Sequence, residues 1–320
     1  MPDFLQSARG PDPDLAMRLI RSRPELVAAR QRATERQALE AMLCEKLRGR
    51  DTWVLPGFCQ LCRTAVEFLG DWQASDGDTI NFREHLVCPS CQLNNRQRFM
   101  GRLLESVIVS RGARSASAYL FEQVTPFFSW GTSSLAVAEI VGSEYLGPDV
   151  AGGTVIEGVR HEDALALSFD DASFDVIVSN DVFEHVPDVD RSLSECARVL
   201  RPDGVLLFSI PFHETSDHTV QRARMKDGRM EELLPPEYHA NPISPEGSLV
   251  FYDHGWDILD RCSAAGFPRT YLVGYWSLLY GYLGGGLQLV FVAERGAGLT
   301  EESRHSTLGV PADSTASVVR

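Results

Sequence analysis

The sequence predicts an α/β protein in which an open, mostly parallel sheet carries helices on both faces, preceded by a helical arm and a small metal-binding ribbon. Short apolar runs alternate with amphipathic stretches from about residue 115 to residue 295, as in repeated strand and helix units. Two Cys-x-x-Cys pairs precede this region. The apolar run 176–178 is followed by Ser179, Asn180 and Asp181. Because open α/β sheets bind ligands at the carboxyl ends of their strands, we expect the chemistry near these residues.

Composition and charge narrow the classes of function. The 320 residues are 44% hydrophobic and 23% charged, which is typical of a soluble globular protein. A net charge of −14 argues against a nucleic-acid partner, because such binding depends on lysines and arginines that meet phosphates. The first ten residues lack the apolar core of a secretory signal, and we expect a cytoplasmic protein. The sequence does not indicate an oligomeric state.

One uncharged stretch, residues 270–293, is long enough to cross a bilayer. Three consecutive glycines at 284–286 and four tyrosines interrupt it, and the parts on either side of the glycines have the character of strands. We therefore predict that this stretch forms two buried strands joined by a loop. No membrane partner is expected.

Residues 1–52 are expected to form a helical N-terminal arm. Leucines recur at roughly helical spacing among arginines, and Asp14 is placed to cap a helix that begins at Leu15. Acidic residues are interspersed with the arginines, so a solvated arm that packs on the main body is favoured over an arm that binds nucleic acid or lipid. At the other end, residues 296–320 are polar and aperiodic, and we predict a disordered tail.

Residues 53–100 are predicted to form a zinc-ribbon-like module. Each Cys-x-x-Cys pair presents two thiolates on one tight turn, and two such turns complete a tetrahedral zinc site with Cys59, Cys62, Cys88 and Cys91 as ligands. Two unrelated redox pairs, or disulfides, are the alternatives. Four protein ligands leave no position for a bound water, so the predicted role of the Zn²⁺ is structural. This use of cysteine also favours a reducing compartment.

The most specific motif follows the fourth predicted strand of the main domain. The run Phe-Asp-Val-Ile-Val-Ser-Asn-Asp at 174–181 leads into Glu-His-Val at 184–186, and the next helix ends in Arg-Val-Leu-Arg-Pro-Asp-Gly at 198–204. Together these motifs resemble class I S-adenosylmethionine-dependent methyltransferases of the type 11-like group. The resemblance implies a Rossmann-like, seven-stranded methyltransferase sheet with helices on both faces, in a domain of residues 101–295. It also implies S-adenosyl-L-methionine as the cofactor and a last strand that inserts antiparallel.

Four predicted strands, the third of them residues 154–159, are followed by the residues expected to hold this cofactor. Glu144 follows the second strand, where a carboxylate accepts hydrogen bonds from both ribose hydroxyls; the alternative is an ordinary surface glutamate. The resemblance implies that Asp163 meets the adenine amino group and that the amide of Ala164 meets a ring nitrogen; alternatively, Asp163 caps a turn. Glu122 ends the first strand beside the amino-acid part of the cofactor. Asn180 faces the methyl-transfer region.

The turn after the first strand departs from the family pattern. Most class I methyltransferases have glycines there, which let the backbone approach the methionine part of the cofactor. Residues 122–126 of this chain read Glu-Gln-Val-Thr-Pro, without a glycine. The backbone after Glu122 is nevertheless the expected contact for that part of the cofactor.

A long polar segment, residues 211–254, follows the fifth strand and is predicted to be a lid over the methyl acceptor. His213, His218 and His239 are the candidate catalytic bases, because imidazole titrates near neutrality. Methyl transfer from a sulfonium is an in-line displacement in which the protein holds the acceptor close, on axis and dry. An amine or thiol needs little else, whereas a hydroxyl generally needs a base. We therefore expect O-methylation of a small molecule or saccharide.

Two alternatives stay open at this point. Some rRNA base methyltransferases also place a zinc ribbon ahead of this fold, and Arg96, Arg98 and Arg102 would then form a small anion-binding face for RNA. These arginines could equally form the exposed side of a helix. The second alternative is a non-catalytic zinc-ribbon binding protein with a degenerate cofactor domain, which the turn without glycine would allow.

Overall fold

The computed structural model describes residues 1–10 and 12–296, so the predicted tail lies, from residue 297 onward, outside the described residues. Its helices are short to medium in length and lie mostly before or between strands of the main sheet. They are α1 (Asp3–Ala8), α2 (Arg23–Gln31), α3 (Thr34–Leu47), α4 (Asn95–Ser110), α5 (Pro126–Ser134), α6 (Val189–Val199) and α7 (Ile258–Ala264).

The strands fall into one large sheet and several small ones. In chain order they are β1 (Ala16–Ile20), β2 (Thr52–Cys59), β3 (Thr64–Asp71), β4 (Leu86–Val87), β5 (Ser117–Leu120), β6 (Glu139–Gly142), β7 (Val155–Ile156), β8 (Val159–Arg160), β9 (Phe174–Asn180), β10 (Leu200–Ser209), β11 (Val220–Gln221), β12 (Ala223–Lys226), β13 (Arg229–Glu232), β14 (Tyr238–Asn241), β15 (Ser244–Leu249), β16 (Tyr252–Asp253), β17 (Arg269–Trp276) and β18 (Gln288–Glu294).

The large sheet has seven strands in the order β1-β17-β18-β10-β9-β5-β6. Strands β6, β5, β9 and β10 are parallel, and β18 inserts antiparallel between β10 and β17. The predicted α/β fold with a seven-stranded, Rossmann-like sheet and an antiparallel last strand is confirmed. Because the parallel strands are covered on both sides, they read in the sequence as continuous apolar runs.

Helices cover both faces of this sheet. Alternate residues of β9 and β10 point to opposite sides: Val176 and Leu207 pack with α1, α4 and α5, whereas Ile177 and Leu206 pack with α2, α6 and α7. Both layers are cores of buried, mostly aliphatic and aromatic side chains. The strand ends are thereby held rigid, which is what positions the polar residues that follow them.

The N-terminal arm is not purely helical, and this part of the prediction is wrong. Residues 16–20 form β1, which pairs antiparallel with β17, with Leu19 opposite Val273. Leu15, Met17 and Ile20 are buried in the main cores. A strand is favoured here because β17 would otherwise present an open edge of unpaired backbone groups. The spacing of leucines, which indicated a helix, carries no information about that edge.

The predicted third strand of the main sheet is also wrong. Residues 154–159 were expected in the sheet, but β7 and β8 form a separate hairpin in which Val155 and Ile156 are exposed. Glu157 and Gly158 have φ of 51° and 85°, which closes a tight turn in the middle of the expected strand. Within the described residues, a single parallel bridge, between Glu144 and His161, continues the sheet beyond β6. The seventh strand is therefore β1.

The uncharged stretch 270–293 lies in β17 and β18 and in the loop that joins them, as predicted. Each strand has a hydrogen-bonded neighbour on both sides. Within the described residues, no helix has the length and apolar character needed to span a bilayer.

Two smaller parts flank the carboxyl edge of the sheet. Residues 53–100 contain the three-stranded sheet β2-β3-β4 and lead into α4, whose first turn has a capping box formed by Asn94 and Gln97. The segment 211–254 is built from three two-stranded sheets, β11 with β16, β12 with β13 and β14 with β15. The domain boundaries given above for these parts stay predictions.

Candidate active site

Two carboxylates meet where β5 and β6 end. The Glu144 Oε1 atom accepts hydrogen bonds from the backbone amides of Gln123 and Val124, at 2.7 and 3.0 Å. Glu122 is 7% exposed, and its Oε1 accepts a hydrogen bond of 2.6 Å from the side-chain amide of Asn180. Burial raises the pKa of Glu122 above its ordinary value. The structure thus brings together three of the predicted cofactor residues.

The turn without glycine needs none, because no residue from 121 to 126 has a positive φ. Thr125 ends the turn as the N-cap of α5, and its hydroxyl accepts a hydrogen bond from the amide of Phe128. Glu144 holds two of the turn's amides in place. The backbone conformation is therefore fixed by side chains on the neighbouring strand rather than by glycine.

Gly142 on β6 lets the turn after β5 approach its neighbouring strand closely. Sequence reasoning missed this residue. A Cβ atom at position 142 would lie 2.5 Å from the Phe128 ring and 2.6 Å from the carbonyl oxygen of Glu122. Both distances are shorter than any real contact of this kind. The glycine on β6 thus lets the turn after β5 pack directly on its neighbouring strand. A glycine in the second strand of the motif was the available signal.

Gly142→Ala is expected to lower the free energy of unfolding by about 1–3 kcal/mol, the usual cost of overpacking, and to weaken cofactor binding by displacing the turn. Thermal and urea unfolding would measure the first effect, and calorimetry the second. Gly131→Ala, in the middle of α5, is the matched control, since its Cβ would meet no atom of the described residues outside its own helix closer than 3.7 Å. Equal stability of the two variants would contradict the packing role of Gly142.

Asp163 and Ala164 lie on the next segment along the edge. The amide of Glu162 donates to the carbonyl oxygen of Glu144, which places Asp163 one residue beyond this contact. The Asp163 Oδ1 atom accepts a hydrogen bond of 2.8 Å from the amide of Leu165, so this carboxylate does cap a turn. Ala164 packs against the core that contains α6. The turn occupies one oxygen of Asp163, and the roles of both residues toward adenine stay predictions.

The polar residues after β9 are bound to the cysteine module. Asp181 forms ion pairs with Arg83 and Arg96, both at 3.0 Å, and Arg96 also donates to Asn180 at 3.1 Å. Burial by itself would raise the pKa of Asp181, but the guanidinium groups of Arg96 and Arg83 hold it well below its usual range. Glu84 completes this cluster through Arg96, 3.0 Å away. The cysteine module therefore packs directly against the end of strand β9 through these ion pairs and hydrogen bonds.

The three arginines after the second cysteine pair are engaged within the protein. Arg96 is 6% exposed and Arg98 is fully buried. Arg98 donates to the carbonyl oxygens of Tyr280 and Gly281, and its guanidinium carbon lies 4.0 Å from the centre of the Phe68 ring. Arg102 donates to the carbonyl oxygen of Ala8 and pairs with Glu105. The expectation of an exposed helix side, and that of a free anion-binding face, are both wrong. Arg96 and Arg98 join the module to the main sheet and its β17–β18 loop, and Arg102 joins α4 to α1.

The three candidate bases of the lid have different surroundings. The His213 side chain is 52% exposed, and its Nε2 atom lies 3.8 Å from Asp253. His218 is exposed. His239 is partly buried on β14, and its Nδ1 atom lies 3.7 Å from the buried carboxylate of Glu184. Among the three, His239 is the one that the structure places beside a residue of the loop after β9.

The four predicted metal ligands converge. The Sγ atoms of Cys59, Cys62, Cys88 and Cys91 all lie within 4.8 Å of one another, with separations of 4.0 Å for Cys59 to Cys91 and 3.8 Å for Cys62 to Cys88. A tetrahedral ion with Zn–S bonds of about 2.3 Å requires sulfur separations of about 3.8 Å. All seven cysteines are free thiols, so the alternative of disulfides is not what the structure shows. The set fits a zinc ion.

Comparison with known proteins shows what the chain is similar to. Residues 133–208 match a family model described as a methyltransferase domain. A probable S-adenosylmethionine-dependent methyltransferase of Mycobacterium tuberculosis is 51% identical over 104 residues, which are 32% of this chain and 34% of that protein. The malonyl-[acyl-carrier protein] O-methyltransferase of Methylococcus capsulatus is 40% identical over 88 residues, 24% of this chain and 32% of that protein. The chain spans about a third of the length of these curated relatives.

Solved structures include a Burkholderia thailandensis 1,6-didemethyltoxoflavin-N1-methyltransferase, 17% identical, which covers 62% of this chain and 78% of its own with a TM-score of 0.35. An S-adenosylmethionine-dependent methyltransferase from Mesorhizobium loti is 16% identical and covers 59% and 96%, with a TM-score of 0.36. Both TM-scores are low, so the similarity to methyltransferases rests on the matched sequence. The matched residues, 133–208, run from the end of α5 through β10, and this part of the main domain is similar to the methyltransferase domain family.

Proposed function

We propose that the protein is a methyltransferase that uses S-adenosyl-L-methionine to methylate an oxygen atom of a small molecule or saccharide. The observation that carries this proposal is the set of acidic side chains Glu122, Glu144 and Asp163. Glu122 and Glu144 follow the neighbouring strands β5 and β6, and Asp163 lies one residue beyond the contact of Glu162 with Glu144. The bound cofactor would supply the activated methyl group. The protein's own task is to orient, to desolvate and to accept a proton.

These residues have hydrogen-bonding atoms that remain available to bind the cofactor. Glu144 uses Oε1 for the turn, and within the described residues its Oε2 atom has no hydrogen-bond donor, which suits it to the ribose hydroxyls. Asn180 donates a hydrogen bond to Glu122 and accepts one from Arg96, and Glu122 also accepts one from Thr125. The positions of Asn180 and Glu122 are therefore fixed before any ligand binds. Such preorganisation lowers the cost of binding.

The acceptor end lies beneath the lid. His239, rather than the more exposed His213 or His218, is our preferred acceptor-side group, because it is partly buried beside Glu184. The contact with the carboxylate of Glu184 raises the pKa of His239 above its ordinary value. One relative's name specifies O-methylation, which supports an oxygen acceptor. The internal engagement of the three arginines speaks against RNA as the partner.

We further infer that Cys59, Cys62, Cys88 and Cys91 hold a structural Zn²⁺. The ion would be closed off by four protein ligands and would take no part in methyl transfer. Free thiols at all seven cysteines support a reducing, cytoplasmic compartment. These inferences concern the module and the compartment, and the methyltransferase proposal does not depend on them.

Glu144→Gln is the test of the cofactor seat. The glutamine oxygen can still accept from the amides of Gln123 and Val124, whereas its amino group cannot accept from a ribose hydroxyl. Since one charged hydrogen bond contributes roughly 1.5–3 kcal/mol, we expect S-adenosylmethionine to bind about ten- to one-hundredfold more weakly. Isothermal titration calorimetry on the zinc-loaded chain measures this affinity.

Glu139→Gln is the matched control, because Glu139 is exposed at the opposite end of the same strand, β6. Its affinity for the cofactor should equal that of the wild type. Equal binding by Glu144→Gln and the wild type would remove the proposed role of Glu144. Absence of S-adenosylmethionine binding to the folded wild-type protein would overturn the methyltransferase proposal.

A further inference from the structure

Among the described residues, Glu184 is a buried carboxylate that accepts no hydrogen bond. Its side chain is fully buried, and within the described part of the chain neither carboxylate oxygen has a hydrogen-bond donor. Burial raises the pKa of Glu184, the usual response of a carboxyl removed from water. Leaving such a group unpaired is costly, so native proteins ordinarily pair it, protonate it or use it to coordinate a metal. Its surroundings indicate which of these applies.

Two imidazoles face this carboxylate. The Nε2 atom of His185 lies 3.6 Å and the Nδ1 atom of His239 lies 3.7 Å from the same oxygen, Oε1 of Glu184. Both separations exceed hydrogen-bond length. The two rings are nearly perpendicular, at 88°, with centres 5.0 Å apart. Three ligand-type atoms thus converge on one point without bonding to each other.

The far nitrogen of each imidazole has an acceptor of its own. His185 Nδ1 is 2.8 Å from the carbonyl oxygen of Leu249, and His239 Nε2 is 3.3 Å from Glu237. A carbonyl and a carboxylate require a proton on the nitrogen that contacts them. In the neutral rings, the lone pairs therefore lie on the two nitrogens that face Glu184. Histidines that bind metals are held in this way by a second hydrogen bond.

We propose that Glu184, His185 and His239 bind a divalent transition-metal ion, with Zn²⁺ as the best fit. Two imidazoles and one carboxylate are a ligand set that Zn²⁺ accepts, and three protein ligands leave its fourth position open. Bonds of about 2.1 Å in a tetrahedral arrangement place neighbouring ligand atoms roughly 3.4 Å apart. The observed separations of 3.6 and 3.7 Å are close to this value.

The position of this cluster suggests what the open coordination site would face. Glu184 and His185 follow β9 at the carboxyl edge of the sheet, whereas His239 is on β14 of the lid. The carbonyl oxygen of Glu184 also accepts a 2.7 Å hydrogen bond from the amide of Phe251. A cation here would fasten the lid to the sheet. Resting on the proposed function, the open side of the ion would orient an acceptor hydroxyl, and His239 would then act there as a metal ligand instead of a base.

Titration with Zn²⁺ tests the site directly. The full chain, first loaded with one equivalent of Zn²⁺ to occupy the four cysteines, should bind a second equivalent in isothermal titration calorimetry. Glu184→Gln and His239→Ala should each lose this second binding event. His218→Ala, which changes an exposed lid histidine outside the cluster, should retain it. No second event in the wild type, or its persistence in both cluster variants, would overturn the proposal.

Stability measurements guard against variants that merely misfold. With Zn²⁺ bound to the four cysteines only, Glu184→Gln should be at least as stable as the wild type, because an amide tolerates burial better than a carboxylate. Excess Zn²⁺ should raise the unfolding temperature of the wild type more than that of Glu184→Gln; equal shifts would contradict the site. Binding of S-adenosylmethionine is measured on the same samples. If the wild type binds the second Zn²⁺ but does not bind S-adenosylmethionine, the proposed function is overturned and the metal site is not.

Discussion

Removal of zinc by a chelator is expected to unfold the module of residues 53–100 and to abolish cofactor binding. A structural zinc site of this kind contributes on the order of 10–16 kcal/mol of binding free energy, more than so small a core can supply. Arg83 and Arg96 come from this module and hold Asp181 at the end of β9. Loss of the metal should therefore displace Arg83 and Arg96 and disturb the cofactor residues at the end of β9. Circular dichroism measures the unfolding, a colorimetric assay measures the release of zinc, and calorimetry measures the loss of S-adenosylmethionine binding.

Cysteine variants separate the metal site from general thiol packing. Cys88→Ser should reproduce the effect of chelation, because it removes one of the four ligands. Cys44→Ser is the matched control, since Cys44 is buried beside the same core but lies outside the cluster. It should keep its zinc and lose only about 1–3 kcal/mol. A stable, metal-free wild-type protein that still binds the cofactor would refute the structural role of zinc.

Arg96→Met is expected to lower the free energy of unfolding at neutral pH by about 3–5 kcal/mol, the cost of breaking a buried ion pair from one side. Arg96 lies 3.0 Å from both Glu84 and Asp181 and also donates to Asn180 and Ser209. The substitution retains most of the side-chain volume but leaves two carboxylates without their main partner. Urea unfolding monitored by circular dichroism measures the difference.

The pH dependence of this difference has a defined sign. Nearby guanidinium groups outweigh burial and lower the pKa values of Glu84 and Asp181, so in the folded protein both bind protons more weakly than in the unfolded chain. Their contribution to stability is present above about pH 4 and is lost as the pH falls through the folded pKa values. The gap between wild type and Arg96→Met should therefore narrow in acid.

Arg224→Met is the control for the loss of a surface charge. Arg224 pairs with Glu231 at 2.7 Å, but both side chains are more than 40% exposed. An exposed pair contributes about 0–1 kcal/mol, so this variant should remain near wild-type stability at every pH. A similar loss in both arginine variants would show that the burial of Arg96 has no special consequence.

Much of the active-site framework could be predicted because its signals are local. Strands β5, β9 and β10 are buried on both faces, and their apolar runs identify them directly. The spacing within each cysteine pair predicted a convergent set of four thiols. Glu122, Glu144 and Asn180 were predicted from their positions after strands, and the sheet brings all three together.

Other features depend on partners that are distant in the chain. Residues 16–20 became a strand because the edge of β17 was open to pairing. Arg96 became a buried structural residue because Glu84 and Asp181 meet it from two different parts of the molecule. A helix face with arginines looks the same in sequence whether it meets solvent or carboxylates. Local pattern therefore could not distinguish these outcomes.

By itself, the sequence determined the α/β class, the buried strands β5, β9 and β10, the four thiols and the acidic residues that follow β5 and β6. These follow from hydrophobic periodicity and short spacings, which act within a few residues. Only the tertiary structure decided that β1 completes the sheet, that Gly142 lets the turn after β5 pack on β6, and that Glu184, His185 and His239 face one another. Each of these depends on close contact between segments whose approach is set by packing of the whole core.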